Sequence, residues 1–198
     1  MTLTRLLILS LIITASVGSV CAQRRERLPP PRDPQFYAPR NTLEEFEGRL
    51  ETVLLKGRTY VGSFRVQNGS ARVEATEVRD TRNSQRATGV VVIIVPDTAG
   101  ASPEMRSLID YDEIDPLVKS IDTVAKADDT ITKLTHFEAR YRTKGDFEVI
   151  VFKQLTGGIA VAVEAGFFER TRLLLTLDEL TRLRWMIVQA KERLDEIK

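Results

Sequence analysis

Cysteine is almost absent from this chain. Its 198 residues contain one, Cys21, and that one falls in a segment expected to be cut away. A mature chain without thiols makes no disulfide, no thiolate zinc site and no cysteine nucleophile. Small secreted eukaryotic domains often rely on disulfides, so their absence points to a bacterial periplasm or cell exterior. Histidine is as scarce: His136 stands alone, without the second histidine that a zinc site would need. No Gly-x-Ser-x-Gly elbow is present, and Gly157-Gly158 is followed by a strand pattern and not by Lys-Ser/Thr and a helix. Neither a hydrolase nucleophile nor a phosphate loop is signalled, and no cofactor is expected.

Net charge is missing too. Lysine and arginine number 29 against 28 acids. Loss of Arg5 with the leading segment balances them. Nothing suggests a basic face of the strength that nucleic acid demands, so no nucleic-acid partner is expected. Long apolar runs are absent beyond Leu6–Val17. That run is shorter than the ~20 residues of a spanning helix. Preceded by Arg5 and followed by Val20-Cys21-Ala22, it reads as a secretory signal over residues 1–22, cleaved between Ala22 and Gln23. No transmembrane span is expected once it is removed.

Residues 23–40 hold five of the eight prolines and five arginines. Proline fixes extended backbone and removes donors, so this is a solvated leader or spacer. Phe36 and Tyr37 give it the means to dock a partner. The folded part is expected over 41–198, as one compact domain.

A motif recurs within that part. Shifted by 66 positions, Leu108 falls on Leu174, Asp112 on Asp178, Glu113 on Glu179, Leu117 on Leu183 and Ile121 on Ile187. Each copy is a short apolar run followed by an amphipathic helix pattern. The first helix carries Ile114, Leu117, Val118, Ile121 and Val124 on one face; the second carries Leu180, Leu183, Ile187, Ala190 and Leu194. Strand signals precede each: Leu50–Leu55, Thr59–Val66, Ala71–Val78, Val90–Val95 and Arg106–Asp110, then Phe137–Thr143, Glu148–Gln154, Ile159–Ala165 and Arg172–Leu177. Asn68-Gly69 is a hairpin signal, and Thr42-Leu43-Glu44-Glu45 has the spacing of a helix start. The expected class is α+β: strongly twisted antiparallel sheet of eight to nine strands with two amphipathic helices. It is built as a duplicated four-strand-plus-helix unit, 41–129 and 130–198.

The acidic group Asp110, Asp112, Glu113, Asp115 looks most like a site. Its spacing does not match a calcium loop, and acids recur at Asp178-Glu179. Both facts point to helix capping, with Asp178 starting the second helix. The repeat favours Asp112 as the first cap, whereas Pro116 favours Asp115. The weak catalytic candidates are Asp110, Asp112 and His136, which would serve a carboxylate-dependent hydrolase if they converged. Arg140, Arg142 and Lys144, spaced by two, share one strand face.

In the strand Ile159–Ala165, bulky residues alternate with the small Ala160 and Ala162, and Gly166 follows. That small row leaves room for a close approach, either by the chain itself or by an apolar guest lying along Ala160, Ala162 and Gly166. The sequence therefore favours a non-catalytic exported binding module for a partner protein or a small apolar ligand. The alternatives are the hydrolase and a structural subunit of an envelope assembly.

Overall fold

Each half of the chain is a run of alternating residues broken by short turns and closed by a helix, and the fold follows that grammar twice. The computed structural model describes residues 38–97, 104–167 and 169–198. The signal segment, the Ala22/Gln23 cleavage point and the leader as far as Tyr37 lie outside the described residues. A short helix α1 (Thr42–Glu47) precedes β1 (Leu54–Val66), β2 (Gly69–Asp80), β3 (Arg86–Pro96), β4 (Met105–Asp110) and α2 (Tyr111–Val124). The second half is β5 (Glu138–Arg142), β6 (Glu148–Lys153), β7 (Ile159–Ala165), β8 (Thr171–Leu175) and α3 (Leu177–Asp195). Each half contributes one four-stranded antiparallel sheet, with its strands in sequence order. The class is α+β, and neither sheet closes on itself.

Eight strands form, not nine. Leu50–Leu55 is not a strand of its own. The chain is extended from Leu54, and Gly57 lies inside β1, opposite Glu77. Glycine there is tolerated because the ladder with β2 continues on both sides of it. A register shift between Tyr60 and Gly62 bulges the strand.

The two helices begin at equivalent places, but not where their acids suggested. Asp110, the last residue of β4, is the N-cap of α2, with Glu113 at its third position. Thr176 is the N-cap of α3, with Glu179 at its third position. These pairs are 66 apart, as the repeat requires. Asp112 and Asp178 fall one residue inside their helices, and Asp115 lies deeper still, so none of the three is the cap. An N-cap residue needs extended backbone, and Asp110 (ψ 153°) and Thr176 (ψ 167°) have it.

The halves interlock. α3 packs on β1, β2 and β3 of the first sheet, while α2 reaches β5 and β6 of the second. One core results, joining Val73, Val92 and Ile109 to Val149, Val163 and Leu183. The hairpin tips cross over as well. Asn68, at the β1–β2 tip, donates through Nδ2 to the Arg172 carbonyl (3.1 Å) and accepts through Oδ1 from the Leu174 N–H (3.0 Å). At the β5–β6 tip, Lys144 N–H donates to Glu113 Oε1 at 2.8 Å. A Cβ on Gly145 would lie 1.8 Å from the Leu108 carbonyl oxygen, so only glycine fits there. The first half's tip thus bonds the edge of β8, while the second half's tip packs against Leu108 at the edge of β4, whose carbonyl takes a hydrogen bond from Asn41.

Candidate binding faces

Strand alternation sends one row of each sheet into the shared core and the other outward. The outward rows decide what the molecule can touch. In the first sheet one outward rung runs Tyr60, Glu74, Val91, Leu108 across the four strands. In the second the matching rung runs Arg140, Ile150, Ala162, Leu174.

The first rung is roofed over Val91 and Leu108, while Tyr60 at its other end stays exposed. Leu43 and Phe46 of α1 join Val78, Ala87, Val91 and Leu108 in a separate apolar cluster. Gly89 makes room for it, since a Cβ there would meet Leu43 Cδ1 at 2.6 Å. Asn41 holds α1 in place: its Oδ1 accepts from Glu44 N–H at 2.9 Å, and its Nδ2 donates to the Leu108 carbonyl at 2.6 Å. Leu108 is left 8% exposed.

No described helix lies over the second rung. Its middle is closed all the same, with Ile150 3% and Ala162 0% exposed, and only its end opens: Leu174 is 41% exposed. Beside Leu174 on this face stand the half-buried Phe152 and Ala160. Next along the sheet is a charged rung: Arg142, Glu148, Glu164, Arg172. Glu148 is buried between Arg140 (3.5 Å) and Arg170 (2.5 Å). Glu164 takes Arg170 at 3.1 Å and pairs with Arg172. Arg142 pairs with Asp146. Arg140, held more firmly protonated by Glu138 and Glu148, belongs to this lattice. Lys144 lies beyond the end of β5, 3.6 Å from Asp112.

The catalytic candidates do not converge. Asp110 is buried, and its two carboxylate oxygens accept from Thr42 N–H (2.7 Å) and Leu43 N–H (2.9 Å). It serves the start of α1 as well as that of α2. Glu113 Oε2 reaches back to the Asp110 N–H at 3.4 Å. Asp112 is exposed, and among the described residues its side chain pairs only with Lys144. His136 is exposed at the far end of β5. Lys144, beside the acids, is eight residues further on, roughly 20 Å or more of extended strand. Among the described residues, no group of three or more histidine, cysteine, aspartate or glutamate side chains is placed to hold a metal ion. No described helix is long and apolar enough to cross a membrane.

The small row is closed along most of its length. Ala162 has no exposed surface. At Gly166 (φ +101°) a Cβ would lie 2.1 Å from the Glu169 carbonyl oxygen, so the chain itself fills that space. Only Ala160 retains accessible surface. Sequence reasoning missed Leu174 and Phe152 as surface. The even spacing of Leu174 with Arg172, against Leu173 and Leu175 in the core, was the available signal.

Comparison of the chain with protein-family models, with curated proteins and with solved structures finds no match in any of the three.

Proposed function

We propose that this is an exported, non-catalytic binding protein, and that a partner protein docks on the outward face of its second sheet. The observation that carries the reading is the contrast between Leu108 and Leu174. They occupy equivalent positions, and the first is covered by two apolar side chains of α1 while the second is open. A partner presenting a short apolar segment, as α1 does, would bury Leu174 and Phe152. The surrounding arginines and glutamates supply the polar rim common at such interfaces. A protein fits this face better than a small guest does, because Ala162 and Gly166 leave no groove. Export rests on the signal pattern of residues 1–22.

A photo-crosslinking residue at position 174 tests the reading in cells that export the chain. It should trap a single partner on a mature protein whose N-terminus is Gln23. The same residue at Lys119, exposed on α2, should trap nothing. Equal products at both positions, or none at 174, would reject the docking face.

A further inference from the structure

A different surface carries a second binding mode, independent of the second sheet's face. β1 is 13 residues long and pairs with β2 on one side only. The other edge strands are short, and two are partly covered: β4 has 6 residues, β5 and β8 have 5 each, Asn68 bonds the edge of β8 and Asn41 that of β4. Natural sheets shorten or cover such edges because an unpaired ladder of N–H and C=O groups recruits another strand. Here the edge is long, and it keeps large apolar side chains outside. Leu55 is 57% exposed and Tyr60 59%. A Cβ on Gly57 would meet nothing within 4 Å, so the space beside the strand is open.

The helix above the edge continues the surface. Met186 of α3 packs at Gly62, where a Cβ would lie 3.4 Å from its Cε. Arg182 donates to the Ser63 carbonyl at 3.4 Å. Trp185, in the same turn of α3, is 56% exposed.

Charge chooses the occupant. The outward row of β1 carries Lys56, Arg58 and Arg65, and the whole strand has no acid. Lys56 meets Glu47 at 2.6 Å. Arg58 has no ion-pair or hydrogen-bond partner among the described residues, and the side chain of Arg65 is 81% exposed, 3.7 Å from Asp97. Beside the strand opens a depression of about 490 Å³ bounded by Ser63, Arg65, Ser70, Arg72 and Arg182, with Phe64 and Val95. Arg72 is already paired with Glu74 (3.0 Å) and Glu104 (3.3 Å), so Arg65 and Arg182 are its cations for a carboxylate. A second copy of β1 would bring like charges together, which strand pairing disfavours.

We propose that the free edge of β1 receives an extended segment of a partner protein as a fifth strand of the first sheet, and that this segment alternates acidic with apolar side chains. Main-chain bonding to an edge gives such additions their affinity, and alternate side chains give their specificity. The carboxylates face Arg58, Arg65 and the arginine-lined depression. The apolar side chains lie on the face of Leu55 and Trp185.

The test uses the full chain and three short labelled peptides. One alternates Glu with Val, one alternates Lys with Val, and the third is the Glu–Val peptide with prolines that prevent strand pairing. The Glu–Val peptide should bind and slow amide exchange along 54–65. The other two should not. Arg58→Glu with Arg65→Glu, both fully on the surface, should leave the melting temperature in place, weaken the Glu–Val peptide about tenfold or more, and admit the Lys–Val peptide. Protection elsewhere on the molecule would overturn the proposal. So would unchanged binding by the charge-reversed variant, equal binding of the proline peptide, or a dimer of this chain that protects β1.

Discussion

Leu108 and Leu174 stand at the same place in the two halves, 66 residues apart, each at the outer end of a four-residue rung. One is roofed by α1 and the other faces solvent. The repeat has been kept where it builds the shared core and released where it meets the outside. The inward rows are apolar in both sheets. Apart from those leucines the outward rungs diverge: Tyr60, Glu74 and Val91 in one, Arg140, Ile150 and Ala162 in the other. Packing constrains a residue that touches both halves far more tightly than one that touches only water or a partner. The divergent positions are therefore where function is to be sought.

The comparison breaks most clearly under truncation of those two leucines. Leu108→Ala removes side-chain atoms from a closed cluster and should cost about 2–4 kcal/mol, through lost burial and the cavity left beneath α1. Leu174→Ala removes atoms already partly in water and should cost about 1 kcal/mol or less. Denaturant unfolding of both variants measures the difference. Equal costs would mean that α1 does not seal the first face.

A second test compares the caps. Thr176 accepts from Glu179 N–H at 3.2 Å and has no task beyond its own helix. Asp110 has the same position but also gathers two N–H groups of α1. Thr176→Ala should cost about 1 kcal/mol, the usual value of a cap. Asp110→Ala should cost about 2–3 kcal/mol, because it strands buried donors that had a charged acceptor. Amide exchange should also accelerate at Thr42 and Leu43 in the second variant alone. If α1 stays protected there, Asp110 is a cap and nothing more.

How much of this was legible beforehand depended on the reach of each interaction. The amphipathic helices, the offset of 66 and the turn at Asn68 are set by neighbours in sequence, and the residues declare them. The start of α2 was misread because Asp110 also ends a strand, and its carboxylate is spent on Thr42 and Leu43, far away in the chain. Pro116 and the acids around it drew attention inside the helix instead. The gap between the expected strands Leu50–Leu55 and Thr59–Val66 is no break, because the ladder with β2 runs through Gly57. The small row at Ala162 was legible as room for a close approach, but which occupant fills it was not; the protein's own chain does. No local pattern reports that α3 lies on the first sheet, or that Asn68 binds the backbone of β8.

The smallest effect lies where the two helices meet. Asp122 of α2 accepts two hydrogen bonds from Arg184 of α3, at 2.6 and 2.7 Å. Moved by 66, these positions become Val188 and Val118, both half-buried. The offset of 66 thus sets an ion pair at one place against two half-buried valines at the other. The hydrogen bonds from Arg184 hold the Asp122 carboxyl below its usual range. Its contribution to stability is accordingly present above the unfolded value near pH ~3.9 and lost as pH falls through the lower folded value. Both side chains are partly exposed, 33% and 46%, so solvent screens the pair and it should be worth less than about 1 kcal/mol. Asp122→Val alone leaves Arg184 without its partner and should destabilise by that amount. Asp122→Val with Arg184→Val should recover the loss, because a packed apolar pair replaces a screened ionic one. The double variant should also lose the part of the acid sensitivity that falls between the unfolded and folded values of Asp122. Unfolding curves of the four proteins at neutral pH and in acid measure both effects. A double variant less stable than either single one would show that the ion pair sets the helix crossing and that the mate site is no guide to it.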